Sequence, residues 1–276
     1  MHDKIAVAVW KIERNKMGIV NKIKHKARQK WLARQSLERL QEILSQRRGV
    51  LSLCYHALSP ELNGYDYRTQ PAAFDTHLAF LKEVFDLVPA SAAVSALRDG
   101  TITQKNRPVA VLCFDDGYRD NLTKATGILE KHDVPAILFA ARDLIKKNTR
   151  THMSEDELKI LAAHPLWELG AHAVTHNVLT GYLADDQLQE LTECRDWLSD
   201  LTGKTPKGFA YPQGQLNEGL VALVRDVYEH AFATDNRASR KFDIHQIRRH
   251  CPTSAEDDIK TFACALIEAP FENGLV

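Results

Sequence analysis

The sequence lacks the cysteine patterns that mark disulfide frameworks, zinc fingers and redox motifs. It contains five cysteines, an odd number, and no two of them form a C-x-x-C pair. Several, such as Cys54 and Cys113, lie in apolar, strand-like runs, where a thiol behaves as a small apolar group. We therefore expect buried free thiols in a reducing compartment.

Long apolar runs and nucleotide-binding loops are absent as well. The apolar stretch at residues 5–10 is too short for the core of a signal peptide or for a membrane-spanning helix. No G-x-G-x-x-G or P-loop pattern follows an apolar run, which argues against a nucleotide ligand. These absences predict a cytoplasmic protein that is not secreted by the usual signal.

Charge of one sign is in excess only locally. The net charge is zero, but residues 1–48 hold 13 Lys or Arg against 4 Asp or Glu, and the rest of the chain carries a net charge of −9. The apolar residues of this basic arm recur at helical spacing: Trp31, Leu32, Leu37, Leu40, Ile43 and Leu44. We predict an amphipathic helix that packs on the rest of the chain, with contact to an anionic membrane surface as the alternative. A nucleic-acid partner is not expected, because no binding motif accompanies the charge.

Beyond the arm, short apolar runs alternate with longer helical patterns. Strands are predicted at 50–56, 109–116, 135–141, 167–172, 208–211, 231–234 and 245–249. Helices are predicted at 74–85, 91–98, 118–132, 154–163, 185–201, 217–228 and 256–267. Ser154-x-x-Glu157 is the pattern of a capping box at the start of the fourth, and Gly203 should stop the fifth. This alternation is typical of βαβ units and a parallel sheet, and about seven strands favour a closed, distorted (β/α) barrel over an open sheet. We expect two parts: a basic helical arm over 1–48 and the barrel over 49–276.

Polar side chains that can bind a metal ion or transfer a proton follow four of the predicted strands. They are His56, the adjacent pair Asp115 and Asp116, the H-x-x-x-H pair His172 and His176, and the loop of Tyr211, Pro212, Gln213 and Gly214. In a barrel of parallel strands all four sets meet at one rim. Two histidines and one carboxylate are a standard ligand set for catalytic zinc, which leaves a coordination position open for water. The residues therefore point to a metal-assisted reaction at this rim.

In this order, the motifs resemble those of the polysaccharide deacetylases, carbohydrate esterase family 4. Residues 114–117 match the family's Phe-Asp-Asp-Gly, and residues 172–176 match its His-Ser/Thr-x-x-His, with Ala173 where Ser or Thr is usual. Residues 209–214 look like its Phe-Ala-Tyr-Pro-x-Gly loop. The resemblance runs from about residue 50 to 267 and leaves the arm outside.

The resemblance implies a barrel that removes acetyl groups from N-acetylated sugars with one divalent metal ion. Zinc is the expected ion, with cobalt, nickel or iron as alternatives. Asp116, His172 and His176 would be its ligands, and Asp115 would be the base that takes a proton from the attacking water. The loop of residues 211–214 would contact the substrate, with the backbone N–H of Gln213 as an oxyanion donor.

The resemblance also suggests a general acid. In one branch of the family, similar to biofilm-polysaccharide deacetylases, an early strand ends in Tyr-His and supplies the proton for the leaving amine, and Tyr55-His56 matches it. His245 and His250 are the other candidates. If Arg249 faces the site, His250 should face away, because side chains alternate along a strand; His245 should lie too deep.

Three departures from the family pattern affect the site. Ala210 stands where many members have the arginine that steadies the catalytic aspartate; Arg249 could replace it, and Arg248 is the alternative. Gln213 stands where an aromatic residue is common. No Asp-x-x-Asp-Trp segment follows Phe232, so a usual hydrophobic wall is missing from the sequence.

The leading hypothesis is a carbohydrate N-deacetylase, a hydrolase of carbon–nitrogen bonds other than peptide bonds, whose partner is a carbohydrate substrate. One alternative is a deacetylase or deformylase of a lipid-linked sugar, which the basic arm makes attractive. The other is a catalytically inactive carbohydrate-binding barrel. The intact acid pair and both histidines argue against inactivity, because two adjacent carboxylates at a strand end are costly without a function.

Overall fold

The centre of the fold is a closed barrel of parallel strands. The computed structural model describes residues 24–59, 65–234 and 242–274. Its strands are β1 Val50–Tyr55, β2 Asp86–Leu87, β3 Val109–Asp116, β4 Ala136–Ala140, β5 Trp167–Ala171, β6 Gly208–Ala210, β7 His230–Ala233 and β8 Ile247–His250. Seven of them form a ring in the order β1-β3-β4-β5-β6-β7-β8, which closes where β8 pairs with β1. The two-residue β2 adds to the beginning of β3. The predicted barrel of about seven parallel strands is confirmed.

The strand sequences explain the two layers of the core. Every residue of β3 is buried, as expected for a parallel strand covered on both faces. Val111 and Cys113 belong to the cluster inside the barrel, together with Phe139 and Phe232. The intervening residues of β3 pack outward against the surrounding helices. The period of two thus places Asp115, at the end of the inward-facing set, over the barrel interior.

The helices surround the strands, and capping residues mark several of their ends. They are α1 at residues 24–32, α2 Leu37–Ser45, α3 Pro71–Val84, α4 Ala90–Arg98, α5 Thr126–His132, α6 Arg142–Lys146, α7 Glu155–Ala163, α8 Ala184–Thr202, α9 Glu218–Val227 and α10 Ile259–Glu268. The capping box predicted at Ser154 and Glu157 is present at the start of α7. Gly203, with φ of 70°, ends α8 as predicted. No helix within the described residues is long and apolar enough to cross a membrane.

The helix predicted over 118–132 differs from the structure at its start. Residues Asn121–Ala125 form a π-helical turn, and α5 begins only at Thr126. The Thr126 hydroxyl donates to the Asn121 carbonyl (3.1 Å), and the Asn121 amide donates to the His56 carbonyl (2.8 Å). The wider turn therefore brings the Asn121 side chain to the loop that follows β1, at the same rim as Asp115.

The described part of the basic arm, residues 24–48, contains two helices rather than the one predicted. The turn at 33–36 separates α1 from α2, and the Ser36 hydroxyl accepts from the Arg39 N–H at the start of α2 (3.3 Å). Leu32, Leu40 and Leu44 are buried in the core, whereas Trp31 is exposed. The apolar face of these helices thus packs on the barrel. The arm over 1–48 as a unit stays a prediction, because residues 1–23 lie outside the described ranges.

Candidate active site

A sharp turn at the end of β3 presents both carboxylates at the rim. Asp116 and Gly117 have φ angles of 72° and 86°, and a Cβ on Gly117 would lie 2.5 Å from Ile145 Cδ1. The left-handed φ therefore favours glycine at position 117, and a larger residue would also have to displace the Ile145 side chain. The turn brings Asp115 and Asp116 to the same imidazole: His172 Nε2 lies 3.7 Å from Asp115 Oδ2 and 3.6 Å from Asp116 Oδ1.

Asp116, His172 and His176 form a cluster with the chemistry of a metal site. Their ligand atoms all lie within 4.8 Å of one another, and His176 Nε2 lies 3.0 Å from Asp116 Oδ1. Asp116 Oδ1 is buried, and its contacts with the two imidazole nitrogens lack hydrogen-bond geometry. Two imidazole nitrogens and one carboxylate oxygen suit a divalent ion such as zinc, and an ion here would satisfy that oxygen. The residues present therefore fit the expected metal.

A backbone contact sets the tautomer of His172. Its Nδ1–H donates to the Ala210 carbonyl (2.7 Å), which leaves the Nε2 lone pair directed at the carboxylates. Burial lowers the pKa of His172 to about 4, so the ring is neutral, as a metal ligand must be. Ala210 thus contributes its carbonyl to the site.

Asp115 is held differently from its neighbour. Arg249 donates from both terminal nitrogens to the two oxygens of Asp115, each at 2.8 Å, and both residues are buried. Burial alone would raise the pKa of Asp115, but the charge of Arg249, with smaller effects of His172 and His56, holds it well below the usual range. The Cys54 thiol also donates to Asp115 Oδ2 (3.2 Å). Asp115 is therefore ionised and rigidly oriented.

The structure distinguishes between the two candidate arginines. Arg248, on the other face of β8, donates instead to Glu272 (2.6 Å). Arg249 points inward, and its guanidinium lies over the rings of Phe139 and Phe232, at 5.5 and 6.0 Å from their centroids. These rings fill the barrel below the rim and support the guanidinium plane from beneath. Arg249 is thus the arginine that contacts Asp115.

Of the three candidate acids, His56 is the one beside Asp115. Ligand atoms of Cys54, His56 and Asp115 lie within 4.8 Å of one another, and His56 Nδ1 has no partner among the described residues. His250 bonds to Glu256 (2.6 Å) on the other face of β8. The His245 ring contacts the Tyr228 carbonyl (3.1 Å) at a buried position.

Only part of the loop of residues 211–214 lines the candidate site. Tyr211 is fully buried, and its hydroxyl donates to the His245 carbonyl (3.0 Å), so its side chain is not available to a substrate. Pro212 is buried as well. Gln213, with φ of 55°, is exposed and lines the site together with Gly214. A Cβ on Gly214 would collide with Thr234, so the loop requires glycine there.

The cluster lies in a cavity of about 1450 Å³. Besides the acid pair, it is lined by His56, Tyr65 and Tyr67 from the segment after β1, and by Gln213 and Thr234 from the segments after β6 and β7. The cavity continues toward α1 and α10. A space of this size accepts more than one sugar ring.

One buried residue of the site escaped the sequence analysis. Glu190 on α8 accepts the backbone N–H groups of Val174 and Thr175 (both 2.9 Å) and the Thr175 hydroxyl (2.8 Å). It thereby holds the loop between the two histidines, in which Ala173 and His176 both have left-handed φ angles. An acidic residue on the buried face of an amphipathic helix is the signal that could have revealed it.

The comparisons with known proteins agree with the geometry. Residues 103–228 match the family model for polysaccharide deacetylase. YxkH of Bacillus subtilis, which carries the provisional name polysaccharide deacetylase, is 25% identical over 203 residues, 71% of this chain and 70% of the relative. Peptidoglycan-N-acetylglucosamine deacetylase of Bacillus cereus is 31% identical over 119 residues, which are 42% of this chain and 41% of that protein.

Among solved structures, IcaB from Ammonifex degensii has the same fold, with a TM-score of 0.67 and 21% identity over 79% of this chain and 98% of that chain. Together, the family model and the relatives show that this chain is similar to the polysaccharide deacetylases. They are consistent with a hydrolase that acts on the amide bond of N-acetyl groups.

Proposed function

We propose that this chain is a metal-dependent hydrolase that removes the acetyl group from an N-acetylated carbohydrate. The observation that carries the proposal is the convergence of Asp116, His172 and His176 within 4.8 Å beside an ionised Asp115. A bound divalent ion would polarise the amide carbonyl and lower the pKa of the attacking water. The reaction converts the amide and water into a free amine and acetate.

In this proposal, Asp115 takes the proton from the attacking water. A general base must be ionised and correctly oriented, and the bidentate contact with Arg249 provides both conditions. His56 lies beside Asp115 and gives its proton to the amine nitrogen as the carbon–nitrogen bond breaks. The backbone N–H of Gln213 is the proposed donor to the developing oxyanion.

The Tyr-His end of β1 supports placement in the branch similar to biofilm-polysaccharide deacetylases. Tyr55 packs outward on Phe74, with ring centroids 4.9 Å apart, and its hydroxyl contacts His77 Nδ1 (3.2 Å). Because neighbouring side chains alternate, this anchoring of Tyr55 directs His56 toward the cavity. We assign the branch on this arrangement.

The comparisons do not favour the two alternatives, a deacetylase or deformylase of a lipid-linked sugar and a catalytically inactive carbohydrate-binding barrel. Peptidoglycan or a related N-acetylglucosamine polymer is the proposed substrate, by analogy with the activity for which the Bacillus cereus relative is named. A cytoplasmic location and contact of residues 1–48 with an anionic membrane stay predictions.

The test combines metal content with acetate release. Elemental analysis of the purified protein should find about one divalent ion per chain, and His176→Ala should hold far less. His132→Ala, which removes a histidine bonded to Asp75 away from the site, is the matched control. Acetate should be released from N-acetylglucosamine oligomers by the wild type and the control alone. Equal metal content in His176→Ala would remove His176 from the ligand set, and an inactive metal-loaded wild type would contradict the proposed function.

A further inference from the structure

We propose that Tyr67 is a stacking platform for the sugar ring that bears the leaving amine, with Tyr65 as its support. The ligand class is a pyranose ring with an apolar C–H face. This inference rests on the proposed deacetylase function and deepens it, because it names the surface that recognises the sugar rather than the acetyl group.

The first observation is the exposure of Tyr67 at the mouth of the site. Its relative exposure is 44%, although most large apolar side chains of the described residues are buried. It lines the same cavity as the acid pair. Apart from histidines, Tyr65 and Tyr67 are the aromatic side chains that line this cavity among the described residues. An exposed aromatic ring at the entrance of a polar site is an unused contact surface.

The second observation is that the ring is held in place by its neighbours. The Tyr67 ring centroid lies 6.1 Å from that of Tyr65, at an interplanar angle of 67°. Tyr65 in turn packs on Tyr118 (6.2 Å), which stacks on His152 (4.6 Å). These edge-to-face and stacked contacts orient Tyr67 before a ligand arrives. A preoriented tyrosine loses little conformational entropy on binding.

The third observation is the position of Tyr67 relative to the proposed acid. Its ring centroid lies 5.5 Å from that of His56, and both side chains line the cavity that holds the acid pair. In amide hydrolysis the acid protonates the nitrogen that leaves, and this nitrogen is attached to the sugar. The sugar ring must therefore lie on the His56 side of the scissile bond, where Tyr65 and Tyr67 form the wall.

The sequence between β7 and β8 leaves this wall without an obvious counterpart. Apart from His245, the aromatic residue in 234–246 is Phe242, which packs against the cluster inside the barrel and does not line the cavity, whereas Thr234 does. A small polar side chain offers little area to a sugar face, whereas a tyrosine ring offers a large apolar one. Sugar recognition by stacking is thus assigned to the loop that follows β1.

The experiment compares a sugar substrate with a probe that has no sugar. Tyr67→Ala should raise KM for a tetramer of N-acetylglucosamine about tenfold with kcat nearly unchanged, because the lost contact is made equally in the ground and transition states. Tyr67→Phe should restore the wild-type KM. Turnover of 4-nitrophenyl acetate, which has no pyranose ring, should be the same in all three proteins.

Trp31→Ala provides the matched control. Trp31 is exposed to a similar extent, 49%, but lies on α1 and is not among the side chains that line the cavity. Its replacement should leave KM for the tetramer unchanged. Calorimetry then measures binding of the tetramer to Asp115→Asn and to the double variant Asp115→Asn/Tyr67→Ala. The double variant should bind the tetramer about tenfold more weakly than Asp115→Asn alone.

The outcomes separate the two proposals. A wild-type protein that deacetylates no sugar contradicts the proposed function before any variant is compared. A wild-type protein that deacetylates the tetramer, together with an unchanged KM and unchanged binding in Tyr67→Ala, overturns the stacking proposal alone. A parallel loss on 4-nitrophenyl acetate would overturn it too, since it would place Tyr67 in catalysis rather than in sugar recognition.

Discussion

At the scale of single residues, the site assigns different tasks to two neighbouring carboxylates. Asp115 contacts a guanidinium and a thiol, whereas Asp116 lies beside two imidazoles without a hydrogen bond to its Oδ1 from the described residues. Groups whose surroundings differ in this way acquire different protonation behaviour and different roles. Arg249 is therefore as important to the proposed chemistry as the aspartate that it contacts.

Replacement of Arg249 by Met should change the pH dependence of the reaction. Without the guanidinium, burial dominates and the pKa of Asp115 rises. Because the base works only when ionised, the acidic limb of the kcat/KM profile should move to higher pH by one unit or more, on the order of the shifts that paired charges cause. Asp115→Asn should instead lower kcat/KM on the order of 10²–10⁴-fold with the metal retained.

A surface ion pair supplies the control for this prediction. Arg225 bonds to Asp243 outside the cavity, so Arg225→Gln should leave the pH profile unchanged. Arg249→Met leaves a buried carboxylate without its partner and should also destabilise the fold, by about 3–5 kcal/mol. The profiles are therefore compared at a temperature at which circular dichroism shows both variants folded. An acidic limb that stays in place in Arg249→Met would assign the base to another group.

At the scale of elements, the loop after β5 depends on α8. Residues 173–176 carry two left-handed φ angles outside glycine, a conformation that surrounding contacts must maintain. Glu190 supplies those contacts through three hydrogen bonds from a buried position. The second histidine of the cluster thus obtains its position from a helix that begins eight residues later in the chain, at Ala184.

Replacement of Glu190 by Gln should therefore weaken metal binding. The amide places an NH₂ group where an oxygen now accepts two backbone N–H groups or a hydroxyl, so the loop loses at least one bond. We expect an affinity for zinc or cobalt that is about 10–100-fold lower, the usual effect of losing a group that orients metal ligands. The visible absorption spectrum of the cobalt-loaded protein should change as the ligand geometry relaxes.

Glu193→Gln is the matched control for Glu190→Gln. Glu193 lies one turn further along α8 and forms a surface ion pair with Arg142 (2.7 Å). Its replacement should change neither the metal affinity nor the cobalt spectrum. Identical spectra and affinities for the two variants would mean that Glu190 stabilises the fold without orienting His176.

At the scale of the whole molecule, barrel closure buries titratable groups far from the site. His77 stacks on Phe262, with ring centroids 3.7 Å apart, and contacts the Glu256 carbonyl (2.8 Å). His230 is buried at the start of β7, and its Nε2 has no partner among the described residues. Burial lowers the pKa of each histidine to about 4. Both are therefore neutral in the folded protein near neutral pH.

The free energy of unfolding should fall as the pH drops below 6.5. In that range the unfolded chain binds protons at these histidines, which have an ordinary pKa of 6.5, and the folded chain does not do so until about pH 4. The expected loss is about 1.4 kcal/mol per histidine for each pH unit between these limits, with no contribution above them. Urea unfolding of the metal-free protein at pH 7.5, 6 and 5 measures it.

His230→Phe should remove the contribution of one histidine to this fall in the free energy of unfolding. The variant replaces an unsatisfied buried nitrogen by carbon, so we expect no loss of stability at pH 7.5 and a shallower fall toward pH 5. An unchanged pH slope in this variant would show that His230 does not contribute to the pH dependence.

Local patterns in the sequence determined much of this molecule. The apolar run that ends in Asp115, Asp116 and Gly117, the capping box at Ser154 and the stop at Gly203 all depend on residues close in sequence, and each occurs where predicted. The family motifs also named the cluster at the rim. Such features follow from periodicity and from local hydrogen bonding, which neighbouring residues determine by themselves.

The tertiary structure decided what depends on distant partners. Alternation along β8 implied that Arg248 and Arg249 face opposite ways, but only the register of β8 on β1 shows that Arg249 faces inward and meets Asp115, 134 residues away. The same holds for Tyr211, which turns into the core, and for Glu190. Side chains choose among partners only once the barrel has closed, because closure determines which strand faces enclose the interior and which charges are buried together.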